Sequence, residues 1–184
     1  MTHPTLILVD VQREYTTPGR PFYLQGIGPS LANAKRLLDH ARAQGWSVIH
    51  VQHLQNGPVF SLDGEYGSFV PGFEPQDGEA HVVKSKLSAY TNVSFQMLVD
   101  AAAARGDELI LAGYGSPMCC LATITSGALF GHRYTFVHDA SWARSSGPDC
   151  PEAEVHRYTT ATLGIHAKLA RTDDVLDTPW EQAA

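Results

Sequence analysis

The sequence predicts an α/β fold of three layers, a Rossmann-like arrangement in which a mostly parallel central sheet of about six strands carries helices on both faces. Short apolar runs alternate along the chain with stretches of helical periodicity, which is typical of parallel sheets. The runs 6–9 and 109–112 are apolar throughout, as expected for central strands covered on both faces. No repeat or linker divides the 184 residues, so we expect a single domain over residues 1–184.

The first half of the chain predicts three strands and one long helix. Residues 5–9 form a leucine-rich and β-branched run that ends at Asp10. Residues 29–43 place leucines and alanines on one helical face, and Gly45 follows at the position of a C-cap glycine. Two further apolar runs are predicted as strands: 46–51 and 80–83.

The second half continues the alternation, and a glycine follows each helix. The predicted helices are 95–104, 118–130 and 151–163, and the predicted strands are 108–112, 134–138 and 165–169. The glycines that end the helices are Gly106, Gly131 and Gly164. Because glycine adopts the left-handed conformation easily, it is the usual residue just beyond a helix.

Residues 54–79 interrupt this alternation with a long segment rich in glycine and proline. The segment also carries four aromatic residues, which argues against disorder. Loops of this length inside a compact domain are usually functional, so we expect a pocket wall or lid, or a subunit contact. The alternative is a surface segment that packs its own aromatics.

Composition and charge exclude several classes of partner. The net charge is −6, whereas nucleic-acid-binding proteins usually carry an excess of basic residues. No apolar run approaches the ~20 residues of a membrane helix, and no signal peptide is recognisable. Three cysteines at uneven spacing do not form a disulfide framework, so we expect a reducing, cytoplasmic location.

Reactive side chains follow the ends of several predicted strands, where α/β sheets bind their ligands. These residues are Asp10, His53, Lys84, Cys119 and Asp139. An acid, a lysine and a thiol at neighbouring strand ends can converge on one crevice. The alternatives are a solvated surface lysine for Lys84 and a buried, loop-capping carboxylate for Asp10.

Among these residues, Cys119 has the local sequence that is most typical of a catalytic residue. Ser116 is a suitable helix N-cap and Pro117 a suitable first helical residue, which places Cys119 in the first turn. There the helix dipole lowers the pKa of a thiol, and free backbone N–H groups can hold an oxyanion. The alternative is a buried structural cysteine, a role that suits the neighbouring Cys120.

Three separated segments carry a family resemblance. Residues 8–15 read Leu-Val-Asp-Val-Gln-Arg-Glu-Tyr and resemble the motif Asp-x-Gln-x-Asp-Phe. Residues 84–90 resemble Lys-x-Arg-Tyr-Ser-Ala-Phe, and residues 113–123 resemble Gly-x-x-Thr-x-x-Cys-Val-x-x-Thr. In this order and spacing they resemble the isochorismatase-like cysteine hydrolases, which include nicotinamidases, N-carbamoylsarcosine amidohydrolases and isochorismatases.

The resemblance implies a mechanism for cleaving a C–N bond of a small amide or carbamoyl substrate. Asp10 is then the general base, Lys84 its electrostatic partner, and Cys119 the nucleophile that forms a thioester. The backbone N–H groups of Ser116 and Cys119 would form the oxyanion hole. The resemblance also implies a cis peptide bond between Gly115 and Ser116.

Substrate contacts and assembly are expected on the same basis. Tyr15 matches a position where the family places an aromatic ring against the substrate, and four other residues complete the predicted contacts: Gln12, His53, Tyr90 and Gly115. The metal-binding Asp-x-His of nicotinamidases is replaced here by Gln52 and Leu54, so we expect no metal and no cofactor. The family also implies a homo-oligomer, either a dimer or a tetramer.

Three alternatives stay open. The first is an isochorismatase-type hydrolase that cleaves a vinyl ether with Asp10 and Lys84. The second is a catalytically inactive binding or scaffold relative. The third is a thiol-redox protein built on Cys119 and Cys120, which lack the usual Cys-x-x-Cys spacing.

Overall fold

A six-stranded, fully parallel sheet forms the centre of the computed structural model, which describes residues 4–180. Residues 1–3 and 181–184 of the predicted domain lie outside the described residues. The strands are β1 (Pro4–Val9), β2 (Ser47–His53), β3 (Ala80–Lys84), β4 (Glu108–Tyr114), β5 (Tyr134–Trp142) and β6 (Lys168–Ala170). Their order is β3-β2-β1-β4-β5-β6, which confirms the predicted fold class.

Helices cover both faces of this sheet. They are α1 (Arg13–Thr16), α2 (Ile27–Ala43), α3 (Val93–Arg105), α4 (Leu121–Leu129), α5 (Glu152–Leu163) and α6 (Thr172–Leu176). A π-helical turn, Ser116–Cys120, leads into α4. The sequence did not predict α1 and α6, because helices of four or five residues are too short to show a period. No helix within residues 4–180 is both long and apolar enough to cross a membrane.

The two faces of the central strand β1 pack into two separate apolar cores. Leu6 and Leu8 face one core, which contains buried residues of α2, and Ile7 and Val9 face the other, which contains buried residues of α3. Successive side chains of a strand point to opposite faces, so a strand covered on both sides must be apolar throughout. The apolar run of β1 is therefore continuous because the strand is covered on both faces, as the sequence predicted.

The strand order reverses between β1 and β4, and ligands bind at such a switch point in open α/β sheets. Gly113 allows β4 to approach β1 closely there. Its φ is +129°, and a Cβ atom on it would lie 2.1 Å from the carbonyl oxygen of Val9. These contacts are with the backbone of Val9, which cannot move aside as a flexible side chain would, so only glycine fits.

The segment 54–79 packs onto the sheet rather than only onto itself. Phe60 is buried, with its ring centroid 5.2 Å from those of both Tyr15 and His53. Phe73 belongs to the same apolar core as one face of β1. The segment therefore forms a wall over the carboxyl ends of β1 and β2.

Glu79 anchors the end of this wall. Its carboxylate accepts hydrogen bonds from Arg42 Nε (2.7 Å) and Nη2 (2.9 Å), from the Gln76 backbone N–H (2.8 Å), and lies 2.8 Å from His50 Nε2. Burial alone would raise its pKa, but the hydrogen bonds from Arg42, Gln76 and His50 lower the pKa of Glu79 to about 2.

Replacing Gly113 with alanine should destabilise the protein strongly, because the new Cβ has no space against Val9. We expect a loss of more than about 3 kcal/mol in the free energy of unfolding. Gly19→Ala is the matched control, since Gly19 also has a positive φ (+84°) but has nothing within 4 Å of the Cβ that alanine would add. That control should lose only about 1 kcal/mol. Equal losses in urea denaturation would contradict the role of close strand approach.

The Glu79 anchor should make stability depend on pH. Because its pKa falls from 4.5 to about 2 on folding, its contribution is complete above pH 4.5 and is lost as the pH falls towards 2. We expect Glu79→Gln to remove roughly 1–3 kcal/mol at pH 7, a difference that shrinks by pH 3. Urea unfolding at several pH values measures this, with Glu154→Gln on the surface of α5 as control. A difference that stays constant with pH would contradict the prediction.

Candidate active site

The buried ammonium group of Lys84 is the centre of the candidate site. Its Nζ atom lies 2.9 Å from Asp10 Oδ2, 3.1 Å from His53 Nδ1 and 3.3 Å from Cys119 Sγ. All four residues are less than 9% exposed. An ammonium has three N–H donors, so each donor of Lys84 has one of these acceptors.

Strand register explains why these residues meet. His53 and Lys84 are the last residues of the parallel neighbours β2 and β3 and are Cα partners, so their side chains share one face of the sheet. Asp10 follows β1, and its N–H donates to the carbonyl of Val51 at 2.8 Å. Its φ of +53° is unusual outside glycine, although aspartate tolerates it better than most residues.

The turn after β4 delivers Cys119, but not in the way that the sequence predicted. The N-cap of the π-helical turn is Gly115, with φ +66°, rather than Ser116. The Ser116 hydroxyl lies 3.3 Å from His156 Nδ1 instead of capping the helix. The expected cis bond between Gly115 and Ser116 is also wrong, because all peptide bonds among residues 4–180 are trans and the left-handed Gly115 makes the turn.

The expected low pKa of Cys119 is wrong as well. Burial and the neighbouring Asp10 carboxylate raise the pKa of the Cys119 thiol above its ordinary value, more than Lys84 lowers it. Burial also lowers the pKa of Lys84, but Asp10 and Cys119 outweigh it and raise that pKa. At neutral pH the site therefore holds a thiol and an ammonium, and the thiol needs a base. Asp10 Oδ1 is buried without a hydrogen-bond partner among the described residues and is free to serve.

His53 contacts Lys84 rather than an open pocket. Burial and the Lys84 charge lower the pKa of His53, so the ring is neutral at pH 7. Because Nδ1 accepts from Lys84, the proton resides on Nε2, which donates to Gln55 Oε1 at 3.2 Å. The sequence could not show this contact, since it depends on the register of β2 against β3.

His53 also belongs to a group of three side chains of types that can bind metal ions. Ligand atoms of Asp10, His53 and Cys119 all lie within 4.8 Å of one another, close enough to hold a metal ion. Lys84 donates a hydrogen bond to each of these three residues and supplies a positive charge among them. A divalent cation and the protonated Lys84 would repel each other here, so these residues do not fit a metal while Lys84 is charged.

Among the described residues, Gln12 and Tyr90 make no hydrogen bond to the side chains of Asp10, Lys84 or Cys119. Gln12 is fully buried; its Oε1 accepts from the His53 N–H, and its Nε2 donates to the carbonyls of His53 and Gly67. It ties the 54–79 segment to β2. The Tyr90 hydroxyl lies 2.6 Å from His132 Nδ1 and is also bonded to Tyr134.

Tyr15 and Gly115 lie together beside Cys119. Tyr15 is 2% exposed, and a Cβ atom on Gly115 would lie 3.0 Å from its hydroxyl and 3.6 Å from Cys119. Asp139 is not part of this group. Strand β5 continues past Asp139 to Trp142. The Oδ1 atom of Asp139 accepts hydrogen bonds from the N–H and the hydroxyl of Thr172.

Sequence reasoning missed His156, which contacts the π-helical turn that carries Cys119. Its Nε2 donates to the His138 carbonyl at 2.9 Å, which leaves Nδ1 to accept from the Ser116 hydroxyl. The Trp142 ring packs against it, with 4.8 Å between the ring centroids. His156 comes from α5, 40 residues after Ser116, and no local sequence pattern signals such a contact.

The chain is similar in sequence and in fold to several known proteins. A family model described as an isochorismatase domain matches residues 4–165. Maleamate amidohydrolase of Pseudomonas putida is 28% identical over 79% of this chain and 75% of its own length. N-carbamoylsarcosine amidase of Arthrobacter sp. is 24% identical over 71% of this chain and 56% of its own length. A crystal structure of an isochorismatase from P. putida KT2440 superposes with a TM-score of 0.85 and 34% identity, covering 94% of this chain and 89% of that one.

The charges around Cys119 should govern its reactivity in opposite directions. Asp10→Asn removes a carboxylate that raises the pKa of Cys119, so we expect faster alkylation at neutral pH. Lys84→Met removes the cation that lowers this pKa, so we expect slower alkylation. The measurement is the rate of iodoacetamide modification of Cys119 against pH, by mass spectrometry, with the buried Cys120 as an internal control. Unchanged profiles in both variants would contradict this electrostatic account.

Proposed function

The chain belongs to the isochorismatase family and is a hydrolase, and we propose that it cleaves a C–N bond of a small amide or carbamoyl substrate. The observation that carries this proposal is the buried Lys84 ammonium bonded to both the Asp10 carboxylate and the Cys119 sulfur. A nucleophile, a base and a cation within hydrogen-bond distance are what acyl transfer at neutral pH requires.

In the first step, Asp10 takes the proton of the Cys119 thiol as the sulfur attacks the carbonyl carbon. The unpartnered Oδ1 atom of Asp10 is available for this proton, while Oδ2 keeps its bond to Lys84. A C–S bond forms and the carbonyl π electrons move to oxygen. We assign the resulting oxyanion to the backbone N–H groups of Ser116 and Cys119 in the turn that leads into α4.

In the second step, the C–N bond breaks and the protonated Asp10 gives its proton to the leaving nitrogen. Ammonia or an amine departs and leaves a thioester on Cys119. Asp10 then takes a proton from water, which attacks the thioester carbonyl. The C–S bond breaks, the acid product leaves, and Asp10 returns its proton to the Cys119 sulfur, so that Asp10, Lys84 and Cys119 regain their initial states.

Cys119 favours an amide over a vinyl ether as the substrate. A vinyl-ether hydrolase can work with Asp10 and Lys84 alone, whereas here the sulfur is held by Lys84 at 3.3 Å. Two relatives are named as an amidohydrolase and an amidase, which supports the same choice. We include vinyl-ether cleavage as the competing outcome because a structural neighbour is named an isochorismatase.

The proposal includes a cytoplasmic homo-oligomer, a dimer or a tetramer, that needs no metal or cofactor. All three cysteines are free, which fits a reducing compartment. Val93, Met97 and Leu129 are each at least 65% exposed, and exposed apolar side chains of this kind are common at subunit contacts. In this proposal Tyr15 and Gly115 form the substrate side of the site.

The proposal predicts cysteine-dependent release of ammonia or amine from at least one member of a panel of small amides, ureas and carbamoyl compounds. The panel includes maleamate and N-carbamoylsarcosine, with isochorismate assayed separately. Cys119→Ala should lose at least about 1,000-fold in kcat/KM, because the nucleophile itself is removed. The matched control is Cys120→Ala, which alters the neighbouring buried thiol and should keep most of the activity.

Two results would overturn the amidohydrolase proposal. Turnover of isochorismate alone, at a rate that survives Cys119→Ala, would identify a vinyl-ether hydrolase. Ammonia release that is equally fast in Cys119→Ala and the wild type would remove the thioester from the mechanism.

A further inference from the structure

We propose that His53 is a positioning residue, whose Nδ1 atom holds the third N–H of Lys84 and so aims the other two at Asp10 and Cys119. The role rests on the proposed function, in which Lys84 stabilises the thiolate and orients the base. No motif of the sequence assigns His53 such a part, and the side chain is neither a nucleophile nor a proton carrier in the proposed steps.

The geometry of an ammonium group is the basis of this role. Its three N–H bonds point along fixed tetrahedral directions, so an acceptor for one bond sets the rotation of the other two. Around Lys84 the three acceptors are oxygen, nitrogen and sulfur at 2.9, 3.1 and 3.3 Å. Without His53, one buried donor would lack a partner, and the ammonium could rotate or lose its proton.

His53 is itself held in place from several directions. Gln12 binds the backbone N–H and carbonyl of His53 at 2.8 and 2.9 Å, as a neighbouring strand would. Gln55 Oε1 accepts from the Nε2 side of the ring, and Phe60 packs edge-on against the ring at 5.2 Å. Rings that are held this firmly can orient a partner, which a mobile ring cannot do.

The chemical state of the ring supports the same role. Only neutral imidazole can accept at Nδ1, and the charged or titratable groups that face His53 are Lys84 on β3, Asp10 after β1 and Cys119 in the π-helical turn. From the 54–79 segment it meets the uncharged Gln55 and Phe60. Burial and Lys84 together lower the pKa of His53, which keeps Nδ1 available as an acceptor.

The test compares three substitutions that differ in where they place an acceptor. His53→Asn puts an amide oxygen near the position of Nδ1, His53→Gln puts its amide near Nε2, and His53→Leu has no acceptor. The matched control is His81→Asn, which changes an exposed histidine on β3 that bonds Gln52 instead of Lys84.

The main readout is the rate of Cys119 alkylation by iodoacetamide against pH, which needs no substrate. For His53→Leu and His53→Gln we expect alkylation at pH 7.5 to fall about 10-fold or more, with the midpoint of the pH profile moved upwards. His53→Asn should stay within about 3-fold of the wild type, because its oxygen replaces the acceptor. Where an amide substrate is turned over, the loss should appear in kcat rather than in KM.

Each other result decides the question. Wild-type alkylation in His53→Leu would overturn the proposal, as would equal losses in the Asn, Gln and Leu variants with an unmoved pH midpoint, which indicate packing alone. If His53→Leu does not fold, judged by thermal unfolding, the Asn–Gln pair makes the same comparison. Absence of amide turnover in the wild type would overturn the proposed function, but the alkylation series would still judge His53.

Discussion

The burial of one ammonium group constrains the rest of the site. An ionised lysine in a protein interior costs several kcal/mol unless charged and polar partners surround it. Lys84 finds them in Asp10, His53 and Cys119, which come from the ends of β1 and β2 and from the turn after β4. A shift in any of these elements would leave a buried donor or charge unsatisfied. The strand order and the geometry of the candidate site therefore depend on each other.

In the proposed mechanism, the same arrangement lets a thiol with a raised pKa act as the nucleophile. Before reaction the three groups are carboxylate, ammonium and thiol; after proton transfer they are carboxylic acid, ammonium and thiolate. The sum of the charges is zero in both states, so proton transfer places no additional net charge in the interior. Lys84 touches both Asp10 and Cys119 and can follow the negative charge from oxygen to sulfur without moving far.

The sequence predicted the elements whose cause is local or topological. Asp10 and Lys84 end or follow apolar strands, and the rule that parallel strands end at one edge was enough to bring them to Cys119. Contacts that depend on strand register or on segments far apart in the chain could not be predicted from the sequence. The pairing of His53 with Lys84 needs the β2–β3 alignment, and the Ser116–His156 contact joins residues 40 apart.

Some errors came from assigning one meaning to a residue with two possibilities. Ser116 before Pro117 is a good N-cap pattern, but a glycine one position earlier adopts the left-handed conformation and begins the helical turn. A helix start normally lowers a thiol pKa, yet burial and Asp10 outweigh it at Cys119. Gln12 falls inside a motif of the family resemblance, and in the structure its side chain binds the backbone of β2 and of the wall; its predicted contact with substrate stays a prediction. Which capping residue, charge or hydrogen-bond partner dominates depends on distances in the folded structure, and residue types alone do not determine those distances.

The 54–79 wall makes the electrostatics and the access to the site depend on each other. Gln12 bonds at once to His53 and to Gly67 of the wall, and Phe60 covers both Tyr15 and His53. Covering these groups lowers the local dielectric, which strengthens the attraction of Lys84 for the thiolate. A change in the wall that uncovers His53 would also bring water closer to Lys84, which His53 contacts. In the proposed reaction, the segment that covers Tyr15 and His53 therefore also affects how strongly Lys84 attracts the thiolate.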